Sequence, residues 1–240
     1  MDKTNLKNIV ITGVNKGLGY ELTKEAIKSN YRVFGIFRNQ IHKDRLIDEF
    51  HELFIPIIAD ITKSENIQNI SNELLKYTDT IDCVINNAGI PGKSNSIETI
   101  SDDEMLQLFN VHCIGAMNVV KATLNFLKKS NDACIINITS RLGSLSKMAS
   151  GEFINHKVSY SYRIAKAAQN MLSICLANEL NDQNINVYAI HPGKLKTSTG
   201  SFDADTEPSV AASEIIHQII ENKNKEKLSF IQPGFGKFPW

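Results

Sequence analysis

Seven short runs of β-forming apolar residues alternate along this chain with longer segments in which apolar residues recur every three or four positions. The runs are typical of strands buried on both faces, and the longer segments are typical of amphipathic helices. Their alternation predicts a doubly wound, seven-stranded parallel α/β sheet with helices on both faces. The predicted strands are 8–12, 32–37, 54–59, 83–86, 133–139, 186–190 and 228–231, and the predicted helices are 17–30, 64–76, 102–129, 159–181 and 209–222.

Composition sets the size and the broad class of the protein. At 240 residues and 42% hydrophobic content, the chain can bury about 70–75% of its unfolded surface in one core, so we expect a single domain over residues 1–240. Lys plus Arg equals Asp plus Glu at 26 each, and this balance disfavours nucleic acid or a membrane as a partner. The polar N-terminus leads into the first strand without a signal peptide, which predicts a cytoplasmic protein.

The turn after the first strand carries three glycines in the pattern G-x-x-x-G-x-G. Gly13 permits a tight turn, Gly17 lets the backbone approach a pyrophosphate, and Gly19 allows close packing of the following helix. An isolated glycine triplet is equally compatible with an ordinary turn. Between a strand and a helix, however, it predicts a nucleotide site.

Tyr162 and Lys166 lie four residues apart in a predicted helix, so their side chains project from nearly the same face. Alone, this pair is more typical of an amphipathic helix with a solvent-reaching Lys. Two further elements precede it: the mid-chain segment 86–89, Asn-Asn-Ala-Gly, and Ser140 at the end of an apolar run. With the glycine turn, these elements predict one active site.

These motifs resemble the short-chain dehydrogenase/reductase superfamily over essentially the whole chain. The segments 191–193, 196–197 and 236–240 resemble the branch of C-factor-like and sniffer-like carbonyl reductases. The resemblance implies an NAD(P)-binding Rossmann fold and hydride transfer to or from a carbonyl carbon. It also implies a Ser-Tyr-Lys centre assisted by Asn, at positions Ser140, Tyr162, Lys166 and Asn110.

The resemblance gives each of these four residues a role. Tyr162 donates the proton in reduction, and Lys166 favours the phenolate while bonding the nicotinamide ribose. Ser140 polarises the substrate carbonyl. Asn110 holds a water that relays protons to Lys166, although a helical Asn is more often solvated.

The remaining cofactor contacts are expected at several strand ends. Asp60 either accepts from the adenine amino group or caps a helix before Thr62, whereas Asn86 is expected to bond neighbouring strands. An acidic residue is absent near Phe37, so Arg38 and Lys16 are interpreted as 2′-phosphate ligands, with NADP(H) preferred and NAD(H) possible. The full set of predicted cofactor residues is Gly13, Asn15, Lys16, Gly17, Leu18, Gly19, Arg38, Asp60, Ile61, Asn87, Ala88, Gly89, Tyr162, Lys166, Pro192, Gly193 and Thr197.

The leading hypothesis is an NADPH-dependent carbonyl reductase of a small or medium aldehyde, ketone or quinone. A nucleotide-bound, C-factor-like signalling protein with little turnover and a sugar-nucleotide epimerase are the alternatives. The 22-residue interval between Ser140 and Tyr162 is longer than is common in the family. An insertion there can obstruct a helix-pairing interface, so the oligomeric state is open and a homodimer is one possibility. Segment 194–207 is predicted to be a mobile lid over the substrate. No catalytic metal is expected, because the six His residues form no ligand cluster. Four cysteines are interpreted as reduced core residues: Cys83, Cys113, Cys134 and Cys175.

Overall fold

A computed structural model describes residues 6–197, 204–217 and 227–240. Its sheet has eight strands in the order β3-β2-β1-β4-β5-β6-β7-β8. The first seven are parallel to their neighbours, which confirms the predicted doubly wound sheet. An eighth strand of two residues, which the apolar pattern does not predict, pairs antiparallel with β7 at the edge. The strands are β1 (Lys7–Thr12), β2 (Tyr31–Phe37), β3 (Phe54–Ile58), β4 (Cys83–Asn86), β5 (Ala133–Ile138), β6 (Ile185–Ile190), β7 (Leu228–Gln232) and β8 (Gly236–Lys237).

Eight α-helices are present in the described part of the chain: α1 (Gly17–Lys28), α2 (Lys43–Phe50), α3 (Asn66–Leu75), α4 (Asp102–Phe109), α5 (Gly115–Leu127), α6 (Leu145–Ala149), α7 (Tyr160–Glu179) and α8 (Pro208–Glu214). The short helices α2 and α6 were not predicted. The predicted helix 102–129 is divided, because a π-helical turn at Asn110–Ile114 separates α4 from α5. Of the predicted helix 209–222, residues 218–222 lie outside the described residues.

Helices cover both faces of the sheet because successive residues of a strand point to opposite sides. Ile9 and Ile11 of β1 pack in one apolar core with Leu22 of α1. Val10, between them, packs in a second core with Leu74 of α3. All five side chains are fully buried, and complete burial of one such side chain contributes about 1.5–3 kcal/mol. Apolar burial on both faces therefore holds the sheet between its helices.

The sheet order reverses at β1, whose neighbours are β2 and β4. At such a switch point the loops diverge and leave a crevice at the carboxyl ends of the strands. Asn86, the last residue of β4, donates from Nδ2 to Oδ1 of Asn137 on β5 at 2.8 Å, which confirms its predicted role between strands. The topology therefore places the crevice beside the loops that carry the candidate site residues.

All four cysteines are free. Cys83 and Cys134 are buried as predicted, whereas Cys113 is half-buried. Cys175 is exposed on α7, so its interpretation as a core residue is wrong. Apolar neighbours in sequence do not report which side of a helix a residue occupies. Among the described helices, none is both long and apolar enough to cross a membrane.

Candidate active site

A cavity of about 980 Å³ lies at the carboxyl ends of β1, β2, β4, β5 and β6. It extends from the glycine turn to the first turns of α7. Its wall includes all the predicted site residues except Gly19 and Asn110. Gly19 lies behind the turn, where an added Cβ would stand 2.2 Å from the carbonyl oxygen of Gly13. This close approach agrees with the packing role predicted for that glycine.

The glycine turn has a backbone that L-residues with a side chain rarely adopt. Gly13 and Gly17 have φ angles of 73° and 57°, in the left-handed region. The helix α1 begins at Gly17, so its free amide groups and positive dipole end lie at the cavity. An NH₂ group of Arg45 donates to the carbonyl oxygen of Asn15 at 2.8 Å and fixes the turn from outside. Sequence reasoning missed Arg45 because it lies on α2, which the apolar pattern did not reveal.

The segment 86–89 is tied to this turn. The hydroxyl oxygen of Thr12 accepts from the backbone N–H groups of Asn87 and Ala88, at 3.0 and 2.9 Å. Nδ2 of Asn87 in turn donates to the backbone carbonyl of Thr12 at 2.9 Å. The amide of Asn87 thus fixes two cavity loops together.

Tyr162 and Lys166 lie on successive turns of α7, which begins where Ser159 accepts from the backbone N–H of Tyr162 at 3.2 Å. The Lys166 side chain is only 4% exposed, and burial lowers its pKa from 10.5 to about 7. Its Nζ donates to the carbonyl of Ile138 at 2.6 Å and to Oε1 of Gln169 at 2.9 Å. The same nitrogen lies 5.7 Å from the ring centroid of Tyr162.

Burial raises the pKa of Tyr162, and a hydrogen bond with Ser140 acts in the opposite direction. The sequence-based expectation that Lys166 lowers this pKa is therefore not what the structure shows: desolvation is the largest effect on the phenol. Ser140 is itself 4% exposed, follows β5 and accepts from the backbone N–H of Leu142 at 3.2 Å. Tyr162 therefore holds its proton at neutral pH, as an ordinary phenol does, and proton donation depends on groups that stabilise the phenolate.

The structure does not bring Asn110 to the cavity. Asn110 is exposed at the start of the π-helical turn, so the prediction of its position in the site is corrected. The same turn instead presents His112, which is 1% exposed and lines the cavity. A π turn holds more residues than an α turn and changes the face on which each side chain emerges, which apolar spacing does not reveal.

His112 contacts both the catalytic helix and the cofactor loop. Its Nε2 lies 2.9 Å from the carbonyl oxygen of Ile90, and its ring stands edge-on to Tyr162 at a centroid distance of 5.7 Å. Burial, with a smaller contribution from Lys166, lowers its pKa to about 3, so the imidazole is neutral at pH 7. Neutral imidazole has one N–H. We assign it to Nε2, because that atom lies closer to the Ile90 carbonyl oxygen, at 2.9 Å, than to the Ile90 backbone N–H, at 3.4 Å, and Nδ1 is then a buried acceptor. No partner of this Nδ1 is present among the described residues.

Other predicted cofactor residues also lie along the wall. Oδ1 of Asp60 accepts from the N–H and hydroxyl of Thr62 at 3.0 and 2.8 Å, which closes a local turn. The predicted alternative of a helix cap is wrong, because α3 begins at Asn66 with Glu65 at its N-cap. Arg38 and Lys16 are exposed at the cavity edge, after β2 and before α1. Gly193 has a φ of 91°, in the left-handed region. Residues 198–203 of the predicted lid lie outside the described residues.

The arrangement fits a nicotinamide dinucleotide. The turn at Gly17 faces Thr197, whose Cγ2 would lie 3.6 Å from an added Cβ, so the turn and the segment after β6 meet at this side of the cavity. The helix terminus there suits a pyrophosphate, and the end with Tyr162 and Lys166 suits the reacting ring. No group of three or more metal-ligating side chains occurs in residues 6–197, 204–217 and 227–240.

Comparisons with known proteins agree with this geometry. The family model for short chain dehydrogenases matches residues 7–207. An L-xylulose reductase of Caenorhabditis elegans is 30% identical over 198 residues, which are 81% of this chain and 74% of that protein. The carbonyl reductase Sniffer of D. melanogaster has a TM-score of 0.87 at 25% identity, and the NADPH-bound carbonyl reductase from chicken fatty liver has 0.86 at 24%. Each of these two alignments covers 98% of this chain and 100% of the other. With its glycine turn and its Ser140, Tyr162 and Lys166 on one cavity wall, the chain belongs to the short-chain dehydrogenase family of NAD(P)-dependent oxidoreductases.

Proposed function

We propose that this protein is an NADPH-dependent carbonyl reductase, with Tyr162 as the proton donor. The observation that carries the proposal is the buried group of Ser140, Tyr162 and Lys166 at one end of a cavity whose other end has the form of a dinucleotide cradle. The substrate is a small or medium aldehyde, ketone or quinone.

The residues of this chain donate the proton and bind the carbonyl oxygen, and a bound nicotinamide cofactor supplies the hydride. The hydroxyl of Ser140 donates to the carbonyl oxygen and draws charge towards it. The phenol of Tyr162 is protonated at neutral pH and donates its proton to the same oxygen. In its protonated form Lys166, whose Nζ lies 5.7 Å from the ring centroid of Tyr162, favours the phenolate formed at that moment.

His112 takes the assisting position that the sequence assigned to Asn110. Its ring packs edge-on against Tyr162, and its Nε2 bonds the loop at Ile90. His112 is therefore a positioning residue in this proposal, since it acts through the orientation of the phenol and of the loop.

The preference for NADPH is supported by the cations at the end of β2. Arg38 follows that strand where an NAD-specific site places an acidic residue, and both Arg38 and Lys16 line the cavity. A guanidinium can bind phosphate through two parallel hydrogen bonds. A cytoplasmic location and a homodimer stay predictions.

A nucleotide-bound signalling protein with little turnover is the second candidate, and absorbance measurements separate the two. We expect NADPH oxidation with at least one member of a panel of aldehydes, ketones and quinones, and loss of that activity in Ser140→Ala. Normal NADPH binding without oxidation of NADPH by any carbonyl compound would favour the signalling protein. An epimerase would instead convert a sugar nucleotide without net oxidation of NADPH.

A further inference from the structure

Part of the cavity wall carries positive charge that the proposed reaction does not explain. It includes Arg141, which directly follows Ser140, Lys157 before α7, and Lys93 after β4. Its apolar lining residues, such as Leu142 and Val158, are aliphatic rather than aromatic. This part of the wall is therefore polar and cationic.

Arg141 is the best-placed of these cations. It is half-buried, and its guanidinium carbon lies 5.5 Å from the ring centroid of the buried Phe153. This cation–π contact orders the Arg141 side chain, and Arg141 is also one of the residues that line the cavity. The pKa of His191 is lowered to about 3, chiefly by burial and next by the positive charge of Arg141.

Carboxylates do not neutralise these cations. In the part of the chain that the structure describes, Arg141, Lys157 and Lys93 form no ion pair with an acidic side chain. Glu104 lies near the third of them, but its oxygens accept from Ser161 Oγ at 2.6 Å and from the backbone N–H of Lys93 at 2.8 Å, and it does not line the cavity. Asp60 is the one carboxylate among the described lining residues.

The cofactor phosphates do not account for this charge. Asp60 follows β3, and Arg38 follows β2, whereas Arg141 follows β5. Three strand spacings separate β2 from β5 in the sheet order, which is about 14 Å at about 4.8 Å per spacing. Lys196 also lines the cavity, but it pairs with Glu207 at 2.9 Å. Arg141 thus lines the cavity at the end of β5, next to Ser140 in the chain, and apart from Arg38 at the end of β2.

We propose that the substrate is an anionic carbonyl compound, whose carboxylate or phosphate is bound by Arg141 with support from Lys157 and Lys93 while Ser140 and Tyr162 engage its carbonyl oxygen. This inference rests on the proposed reductase function and narrows its substrate class. It disfavours bulky neutral ketones, because Arg141, Lys157 and Lys93 line the cavity and pair with no carboxylate in the described part of the chain. The carboxylate and the phosphate share the chemistry that a guanidinium recognises.

The test compares substrates of matched shape that differ in charge. With NADPH and the full chain, we expect kcat/KM for 4-carboxybenzaldehyde to exceed that for 4-carbamoylbenzaldehyde by about tenfold at low salt. The preference should shrink in 0.5 M NaCl, because salt screens the attraction. Glyceraldehyde 3-phosphate against glyceraldehyde is the second pair, and it shows whether phosphate is preferred over carboxylate. Equal or lower kcat/KM for the anion in both pairs would overturn the inference.

Substitutions at Arg141 test whether this residue binds the anionic group of the substrate. Arg141→Gln should reduce kcat/KM for the preferred anion about fivefold and change that for its neutral partner less than about twofold. Arg141→Lys should restore most of the loss, and Lys121→Gln, on the exposed side of α5, should have no effect. An equal loss for the charged and neutral substrates in Arg141→Gln would show a structural role and contradict the assignment. If neither aldehyde is reduced, the proposed function fails, and calorimetric titration of the NADPH-loaded protein with the same two aldehydes decides whether charge is recognised.

Discussion

Lys166 is a buried ammonium, and its burial should make the stability of the protein depend on pH. Desolvation lowers its pKa from 10.5 to about 7. Because the unfolded chain recovers a pKa near 10.4, it binds more protons than the folded chain between these values, and stability rises with pH. The stability that this titration contributes is fully present above the pKa of Lys166 in the unfolded chain. It is lost as the pH falls towards about 7, the pKa in the folded chain. Between pH 7 and pH 8.5 this effect should raise the free energy of unfolding by about 2 kcal/mol. The full slope is about 1.4 kcal/mol per pH unit, and the slope is smaller near pH 7, where folded Lys166 is still partly protonated.

Lys166→Met removes the titrating group while keeping a long side chain. The free energy of unfolding of the wild type, relative to this variant, should therefore rise by about 2 kcal/mol from pH 7 to pH 8.5. The variant also leaves Gln169 and the Ile138 carbonyl without their donor, at about 1–3 kcal/mol each, so the slope with pH and not the offset is the test.

Urea unfolding followed by circular dichroism, at intervals of half a pH unit, measures this slope. Lys121→Met is the matched control, since Lys121 is exposed on α5 and its replacement should leave the slope unchanged. A difference between wild type and Lys166→Met that stays constant over this range would refute the reasoning that burial controls the titration of Lys166.

Four further variants test the site. Tyr162→Phe should lower turnover at least about a hundredfold and leave NADPH affinity nearly unchanged, because only the proton donor is lost; retention of most activity with the best carbonyl substrate would mean that another group supplies the proton. His112→Ala should lower kcat about tenfold or more by loosening the phenol, whereas Asn110→Ala should change it less than about twofold; the reverse order would restore the sequence-based assignment. The double variant Arg38→Ala, Lys16→Ala should weaken NADPH binding about tenfold or more and leave NADH binding nearly unchanged in fluorescence titrations; equal wild-type affinities for the two cofactors would contradict the proposed preference.

The strands could be predicted because a parallel strand covered on both faces has a local signature. A run such as 133–139 is apolar at nearly every position, and the structure buries all six residues of β5. The glycine turn was equally readable, because φ angles of 73° and 57° at Gly13 and Gly17 are a local property of the backbone. By contrast, β8 has two residues, too few to show a pattern, and exists because it pairs with β7.

The interior of the site could be predicted only in part. The spacing of Tyr162 and Lys166 requires nothing beyond an α-helix, so the sequence was sufficient to place both on one face. The choice between Asn110 and His112 depends on a π-helical turn, which arises from packing along α4 and α5 and has no local signature.

The amino-acid sequence by itself determined the strand and helix pattern, the nucleotide turn and the Tyr-Lys pair, because each depends on residues close together in the chain. Only the tertiary structure decided which groups are desolvated and which side chains meet across the cavity. Burial raises the pKa of Tyr162 and lowers that of Lys166, although the sequence led us to expect their mutual charge to dominate. Arg141 likewise lines the cavity only because the segment after β5 and the loop before α7 come together in the fold. Desolvation and charge proximity depend on distance in space, which a sequence does not contain.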